Sequence, residues 1–169
     1  MSGEEQSRTA GGALPPRTAA RVAAVQALYQ MDMAGTDLNA VIDEFVRLRF
    51  PRSPSDEAAS GADPVFFSEL LRGVVRRQRD IDPLVDHQLA EGWRLLRIDA
   101  IMRAILRAGV FELMERPDVP ARVVINEYIN VAHSFFSDEE PKVVNGVLDK
   151  LARQLRAAEF DGNGERKNR

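Results

Sequence analysis

Apolar residues recur along most of this chain at the spacing of an α-helix. In the stretch 141–158 they fall at positions i, i+3, i+4, i+7 and i+11, namely Val144, Val147, Leu148, Leu151 and Leu155. This spacing places them on one side of a helix, whereas Asn145-Gly146 between valines is by itself typical of a β-hairpin turn. Because the longer period outweighs the local signal and Pro141 suits a first helical turn, we predict a helix over 141–158.

The same periodicity predicts helices elsewhere in the chain. Four further stretches carry an apolar helical stripe: 17–33, 38–49, 99–114 and 121–136. Asp63-Pro64 and Asp82-Pro83 each combine an N-cap residue with a first-turn proline, so each predicts the start of another helix, the second ending near Leu89. The β-branched residues of 119–125 would also suit a strand, but the helical spacing that continues beyond them favours a helix.

The sequence therefore predicts an all-α fold of about seven helices, arranged as two small packed helical bundles. The helical domain spans about 17–158, with sub-bundles over about 17–80 and 81–158. A group of apolar residues is predicted to fill the joint between the two halves: Trp93, Leu95, Leu96 and Ile98. The polar stretches 1–16 and 159–169 are predicted to be disordered tails, and 51–62 a mobile linker.

Three glycines interrupt the helical stripes, at Gly73, Gly109 and Gly146. A glycine inside a helix costs about 1 kcal/mol relative to alanine. One such glycine can simply be tolerated, but three together indicate positions where another helix comes close.

Composition argues against most kinds of catalytic site. The chain has no cysteine and two histidines, His87 and His133, which fall on different predicted helices. No glycine-rich loop follows a strand, so no phosphate cradle is proposed. We therefore predict no metal site and no enzymatic activity. The absence of a long apolar run or an apolar N-terminal signal predicts a cytoplasmic protein without a membrane segment.

The net charge of the chain limits how it could bind a nucleic acid. The formal net charge is −3, so any such binding would rest on a local basic patch. Arg17 and Arg21 stand one turn apart at the start of the first helix, where cations oppose the helix dipole. This placement hints at a use other than helix stability. A second basic face, Arg72, Arg76 and Arg79, is consistent with a solvated surface or with an anionic partner.

Three segments together resemble the bacterial NusB family of transcription antitermination factors. They are 20–30 (ARVAAVQALYQ), 105–113 (ILRAGVFEL) followed by Asp118-Val119-Pro120 and 124–127 (VINE), and 142–150 (KVVNGVLDK). Their order and spacing match the family, and the resemblance covers about 17–156. It implies an all-helical fold of two small bundles and no cofactor.

The resemblance also implies partners and a binding surface. The partners would be the ribosomal protein NusE and single-stranded boxA RNA of ribosomal RNA transcripts, with other Nus factors and RNA polymerase joined indirectly. Carried over by position, the RNA-binding residues would be Arg17, Arg21, Gln26, Tyr29, Lys142, Asn145 and Lys150. The arginine cluster of the family is reduced here to two residues, and Val143 stands where some members carry an aromatic residue.

Several alternatives remain open at this level. Tyr29 could be a core aromatic, and Asn145 a surface or capping amide. The whole chain could be a protein-interaction scaffold of the same fold without sequence-specific RNA binding. It could also be an accessory factor to ribosomal RNA modification, because NusB-like domains also occur fused to ribosomal RNA methyltransferases.

Overall fold

The computed structural model describes residues 14–51, 61–89, 98–137 and 139–166, with side chains as far as Asp161. Within these ranges the chain forms seven α-helices and no strand, which confirms the predicted all-α fold. The helices are α1 (Pro16–Ala34), α2 (Leu38–Glu44), α3 (Pro64–Gln88), α4 (Ala100–Glu115), α5 (Ala121–Phe135), α6 (Glu139–Leu155) and α7 (Ala157–Arg166). A π-helical turn, Phe45–Arg49, continues α2.

The chain divides into two compact units after Leu71, inside α3. The N-terminal unit contains α1, α2 and the first part of α3, and the C-terminal unit contains the rest of α3 and α4 to α7. The predicted sub-bundle extents, 17–80 and 81–158, stay a prediction.

Small residues on α1 and an aromatic cluster build the core of the N-terminal unit. Five alanines of α1 are fully buried: Ala19, Ala20, Ala23, Ala24 and Ala27. The rings of Phe45, Phe50 and Phe67 pack with centroids 4.8 to 6.4 Å apart. Asp63 caps α3 as predicted, because its carboxylate accepts hydrogen bonds from two first-turn N–H groups. Its own N–H donates to the Pro16 carbonyl oxygen, which ties the starts of α1 and α3 together.

One predicted helix boundary is wrong. The sequence indicated a new helix at Asp82-Pro83, but α3 continues through this pair without interruption. An interior proline costs about 3 kcal/mol, and packing offsets this cost because Ile81 and Val85 are fully buried. The Asp82 carboxylate caps no new helix; it accepts two hydrogen bonds of 2.9 Å from the Arg107 guanidinium on α4. Of the predicted joint, 93–96 lies outside the described residues.

The C-terminal unit is built around α4, α5 and α6, which pack against one another. Their apolar stripes are largely buried, and Ile105 on α4, Val124 on α5 and Leu148 on α6 have no exposed surface. A polar pair lies inside this core, where Tyr128 donates its hydroxyl hydrogen to the carboxylate of Glu112. Glu112 itself has no exposed surface, so this hydrogen bond satisfies a group whose burial would otherwise be costly.

The end of the chain also differs from the prediction. The stretch 159–169 was expected to be a disordered tail, but α7 extends to Arg166, and only 167–169 lie outside the described residues. Tertiary contacts supply the reason. The Glu159 carboxylate accepts hydrogen bonds of 2.9 Å from the Ala121 N–H and from Arg156. The Ala121 N–H, with a smaller contribution from Arg156, lowers the pKa of Glu159 below its ordinary value.

The three interrupting glycines have different environments. A Cβ at Gly73 would overlap the Phe111 ring, and one at Gly109 would lie 2.9 Å from Leu148 Cδ1. Close approach is therefore confirmed at these two positions. It is wrong for Gly146, where a Cβ would meet no atom within 4 Å and the residue faces solvent on α6.

Gly146→Ala should therefore stabilise the protein. Alanine has room at this exposed helical position and should raise the free energy of unfolding by about 1 kcal/mol, because glycine loses more backbone entropy on folding. Urea titration followed by far-UV circular dichroism measures the change. Lower stability of the variant would show that the α6 backbone is not a regular helix at this position.

Candidate nucleic-acid interface

The first two candidate arginines share one aromatic ring. Arg17 and Arg21 lie one turn apart on α1, and their guanidinium carbons stand 4.9 and 5.0 Å from the centroid of Phe66 on α3. Phe66 is buried within the N-terminal unit. Both arginines therefore gain a cation–π contact, which explains why cations are tolerated at the N-terminal end of this helix.

The two arginines differ in accessibility. Arg17 faces solvent, whereas Arg21 is only 3% exposed. A side chain covered to this extent has little surface to offer a phosphate, so the structure does not support the expectation that Arg21 is a surface contact. Its packing against Phe66 instead gives it a role in holding the start of α1 against α3.

Gln26 and Tyr29 lie further along α1. Tyr29 is 39% exposed, so the alternative that it is a core aromatic is wrong, and its ring is accessible for stacking. Gln26 is half-buried, and its Oε1 is a buried acceptor without a hydrogen-bond partner in the part of the chain that the structure describes. Unsatisfied buried acceptors are uncommon in folded proteins.

The candidates on α6 belong to the C-terminal unit. Lys142 and Asn145 are both exposed and stand about 60° apart around the helix, so they share a face. Lys150 is also exposed but lies about 140° around the helix from Asn145. The structure therefore brings Lys142 and Asn145 together and directs Lys150 elsewhere. Val143, the residue in the place of an aromatic, is half-buried.

Asn145 also borders a groove that sequence reasoning did not identify. This groove, of about 270 Å³, lies between α5, α6 and α7 and is lined by Arg122, Ile125, Asn126, Asn145, Asp149, Arg153 and Phe160. Helical spacing alone relates Asp149 to Arg153 as an i, i+4 pair. No sequence signal placed Phe160 beside them, because that residue fell in the predicted tail.

The basic face on α3 is partly neutralised within the protein. Arg76 and the neighbouring Arg77 both pair with Glu115 of α4, and Arg77 also pairs with Asp80. The hydrogen bond that Arg77 donates to the Glu115 carboxylate raises the pKa of Arg77 above its ordinary value, and the one that it donates to Asp80 makes a second contribution. These ion pairs agree with the interpretation of this face as a solvated surface.

The described residues form neither a metal site nor a membrane-spanning helix. Among the described residues, no group of three or more histidine, aspartate or glutamate side chains could hold a metal ion. None of the helices described above is long and apolar enough to cross a membrane.

The fold and the surface together define the class of protein. It is an all-helical domain whose candidate RNA-binding residues are basic, amide and aromatic side chains. Comparison with known proteins then gives the family. The model of the NusB family matches residues 18–153. The chain belongs to the NusB family.

Individual relatives agree with this assignment. The transcription antitermination protein NusB of Rhodopseudomonas palustris (strain TIE-1) is 51% identical over 144 residues, which cover 85% of this chain and 83% of that protein. The protein of the same name from Caulobacter vibrioides is 52% identical over 146 residues, 86% of this chain and 98% of that protein.

Solved structures show the same fold. NusB of T. maritima superposes with a TM-score of 0.71 at 28% identity, covering 87% of this chain and 98% of that one. A chain in a crystal structure of antitermination factors NusB and NusE with double-stranded RNA gives a TM-score of 0.67 at 24% identity, covering 82% and 96%. At that identity the second likeness concerns the fold alone.

Proposed function

We propose that this protein is a non-enzymatic, RNA-binding transcription antitermination factor. It acts with the ribosomal protein NusE, binds the boxA element of ribosomal RNA transcripts and so supports ribosomal RNA synthesis, with other Nus factors and RNA polymerase joined indirectly. The observation that carries the proposal is the similarity to proteins named transcription antitermination protein NusB, at 51 to 52% identity over most of the chain. The partners are proposed from the family to which the chain belongs.

The accessible candidate residues suit single-stranded RNA. Such RNA is bound by neutralising phosphates and by stacking bases on aromatic rings or guanidinium planes. We assign phosphate contacts to Arg17 and Lys142, a stacking contact to Tyr29, and hydrogen bonds to Gln26 and Asn145. All five have accessible surface. Arg21 is assigned a positioning role beneath Arg17, and Lys150 adds charge on another side of α6.

The small number of charges limits what the protein can do alone. If Arg17 and Lys142 each neutralise one phosphate, the slope of log K against log salt should be about −1.4, at about −0.7 per phosphate for single strands. So small a slope indicates few phosphate contacts and therefore weak binding of RNA by the protein alone. A partner that adds contacts is therefore needed for tight binding, which agrees with joint action with NusE.

The proposal is tested by fluorescence anisotropy with labelled boxA-type RNA, using the protein alone and with NusE. We expect NusE to tighten binding and a scrambled RNA to lose that gain, because base-dependent contacts should require the complete surface. Equal binding of boxA-type and scrambled RNA by the complex would contradict sequence-specific recognition.

Variants separate this proposal from its main alternative, an interaction scaffold without specific RNA binding, which the burial of Arg21 favours. The double variant Arg17→Ala, Lys142→Ala should weaken RNA binding and leave NusE binding unchanged. Arg47→Ala, which removes another exposed charge, from the π-helical turn that follows α2, is the control. Binding of NusE by the unmodified protein without any effect of RNA would establish the scaffold instead.

A further inference from the structure

The groove between α5, α6 and α7, called the C-terminal groove from here on, combines three kinds of group. Arg122 and Arg153 supply guanidinium planes, Phe160 supplies a ring, and Asn126 and Asn145 supply carboxamides. Its volume of about 270 Å³ is below the roughly 300–1,000 Å³ of pockets that enclose a drug-sized ligand. The space therefore suits one planar group of a larger molecule that lies mostly outside it.

One wall of the groove is a preassembled stacking layer. The Arg153 guanidinium carbon stands 4.8 Å from the Phe160 ring centroid, and that of Arg122 stands 5.9 Å from it. Asp149 holds Arg153 in this position by accepting a hydrogen bond of 3.0 Å from its Nε. Aromatic rings and guanidinium planes are the surfaces on which unpaired bases stack, and a fixed guanidinium loses less freedom when a base arrives.

The two carboxamides can form hydrogen bonds with the edge of a base. Asn126 and Asn145 are exposed, and within the described part of the chain no hydrogen bond occupies either carboxamide. Each offers two N–H donors and one carbonyl acceptor, a combination that matches the mixed donors and acceptors on the edges of bases.

Asp149 adds a hydrogen-bond acceptor to the groove. Its carboxylate lines the groove beside the carboxamides and can only accept hydrogen bonds when ionised. It therefore offers an acceptor to a base that carries an exocyclic amino group, and its charge offsets that of Arg153, with which it pairs. The exposed Arg122 can then contact the adjoining backbone phosphate.

From these contacts we infer that the C-terminal groove is a subsite for one base of single-stranded RNA. The base stacks on the layer of Phe160 and Arg153, and its edge meets Asn126 and Asn145. Adenine, cytosine and guanine, which carry an amino group, bind in preference to uracil. The inference rests on the proposed function and extends it, because α7 and its Phe160 lie beyond the residues 18–153 of the family match.

The test uses the full chain with NusE and a labelled single-stranded boxA-type RNA, in which each nucleotide is replaced in turn by an abasic one. The variants are Arg153→Ala, Asn126→Ala and Phe160→Leu, the last of which keeps an apolar side chain against α6. Arg47→Ala is the matched control, because both Arg47 and Arg153 are exposed and pair with an aspartate four residues earlier, at 2.9 and 3.0 Å. Circular dichroism checks that each variant is folded.

Loss of one base stack should raise the Kd by about 5-fold or more. We expect Arg153→Ala and Phe160→Leu to show this loss and Arg47→Ala to stay within about 2-fold of the unmodified protein. At one position, an abasic nucleotide should abolish the difference in Kd between the unmodified protein and the groove variants, because the stacking contact is then missing in both complexes. Uracil at that position should bind more weakly than cytosine.

Several outcomes would overturn the inference. If the unmodified complex binds RNA and the groove variants bind equally well, the groove is not a base subsite, although the proposed function stands. If the variants weaken the binding of NusE instead of RNA, the groove is a protein contact. If the unmodified complex binds no RNA at all, both the groove subsite and the proposed function fail.

Discussion

Arg156→Ala should lower the free energy of unfolding by about 2–4 kcal/mol, the cost of leaving partly buried carbonyls without their charged hydrogen-bond donor. The Arg156 guanidinium, whose side chain is 8% exposed, donates to four backbone carbonyls at distances of 2.7 to 2.9 Å and to the Glu159 carboxylate. The four carbonyls belong to Glu112, Leu113, Arg116 and Val119, at and just after the end of α4.

The physical reason lies at the C-terminal end of α4. The last carbonyls of a helix have no partner within the helix, and they carry the negative end of its dipole. One arginine fork satisfies them and supplies a positive charge at the same place. Alanine at this position would take this donor from the Leu113 and Val119 carbonyls, at roughly 1–3 kcal/mol each where water cannot reach them. The Glu112 and Arg116 carbonyls would keep the backbone N–H groups that also donate to them. Chemical unfolding followed by circular dichroism measures the loss.

Two variants sharpen this test. Arg156→Lys keeps the charge but loses the planar fork, so it should give an intermediate loss. Arg153→Ala removes a neighbouring arginine of α6 whose side chain is 59% exposed and pairs with Asp149; the loss of that pair should cost about 0.3–0.5 kcal/mol. A cost of Arg156→Ala as small as that of Arg153→Ala would show that water replaces the guanidinium.

Gly73→Ala should lower the free energy of unfolding by about 3 kcal/mol, through overpacking. The added Cβ would overlap Cε2 and Cζ of Phe111, a ring that is only 4% exposed and therefore cannot turn into solvent. The conflict would push α3 and α4 apart along the segment where Asp82 and Arg107 also join them. Thermal and urea unfolding of the variant measure the cost.

A double-variant cycle identifies the cause. In a Phe111→Leu background the ring is absent, so Gly73→Ala should cost clearly less than in the natural chain. Gly146→Ala, with the same chemical change at an open position, should have the opposite sign. An equal cost of Gly73→Ala in both backgrounds would mean that the ring is not what excludes a side chain at residue 73.

At the candidate interface, the sequence predicted which helix positions could contact RNA but not which side chains are exposed. Their positions in the family pattern identified Tyr29, Lys142 and Asn145 as candidate RNA-binding residues, and all three are exposed in the structure. The pattern also named Arg21, which the structure buries against Phe66. A family pattern marks positions on a helix, but whether a long side chain reaches solvent depends on the helix packed beside it.

The sequence by itself determined the helical class and the positions of most helices, because an apolar stripe at helical spacing is a local property that needs only one buried side. It also determined the family, through three ordered segments. Only the tertiary structure decided that α3 passes through Pro83, since the offsetting contacts of Ile81, Val85 and Arg107 come from burial and from another helix. The tertiary structure likewise decided that Gly73 and Gly109 lie against other side chains whereas Gly146 faces open space. It also decided that α7 forms and lines the C-terminal groove, because the partners of Arg156, Glu159 and Phe160 include residues tens of positions away in the chain.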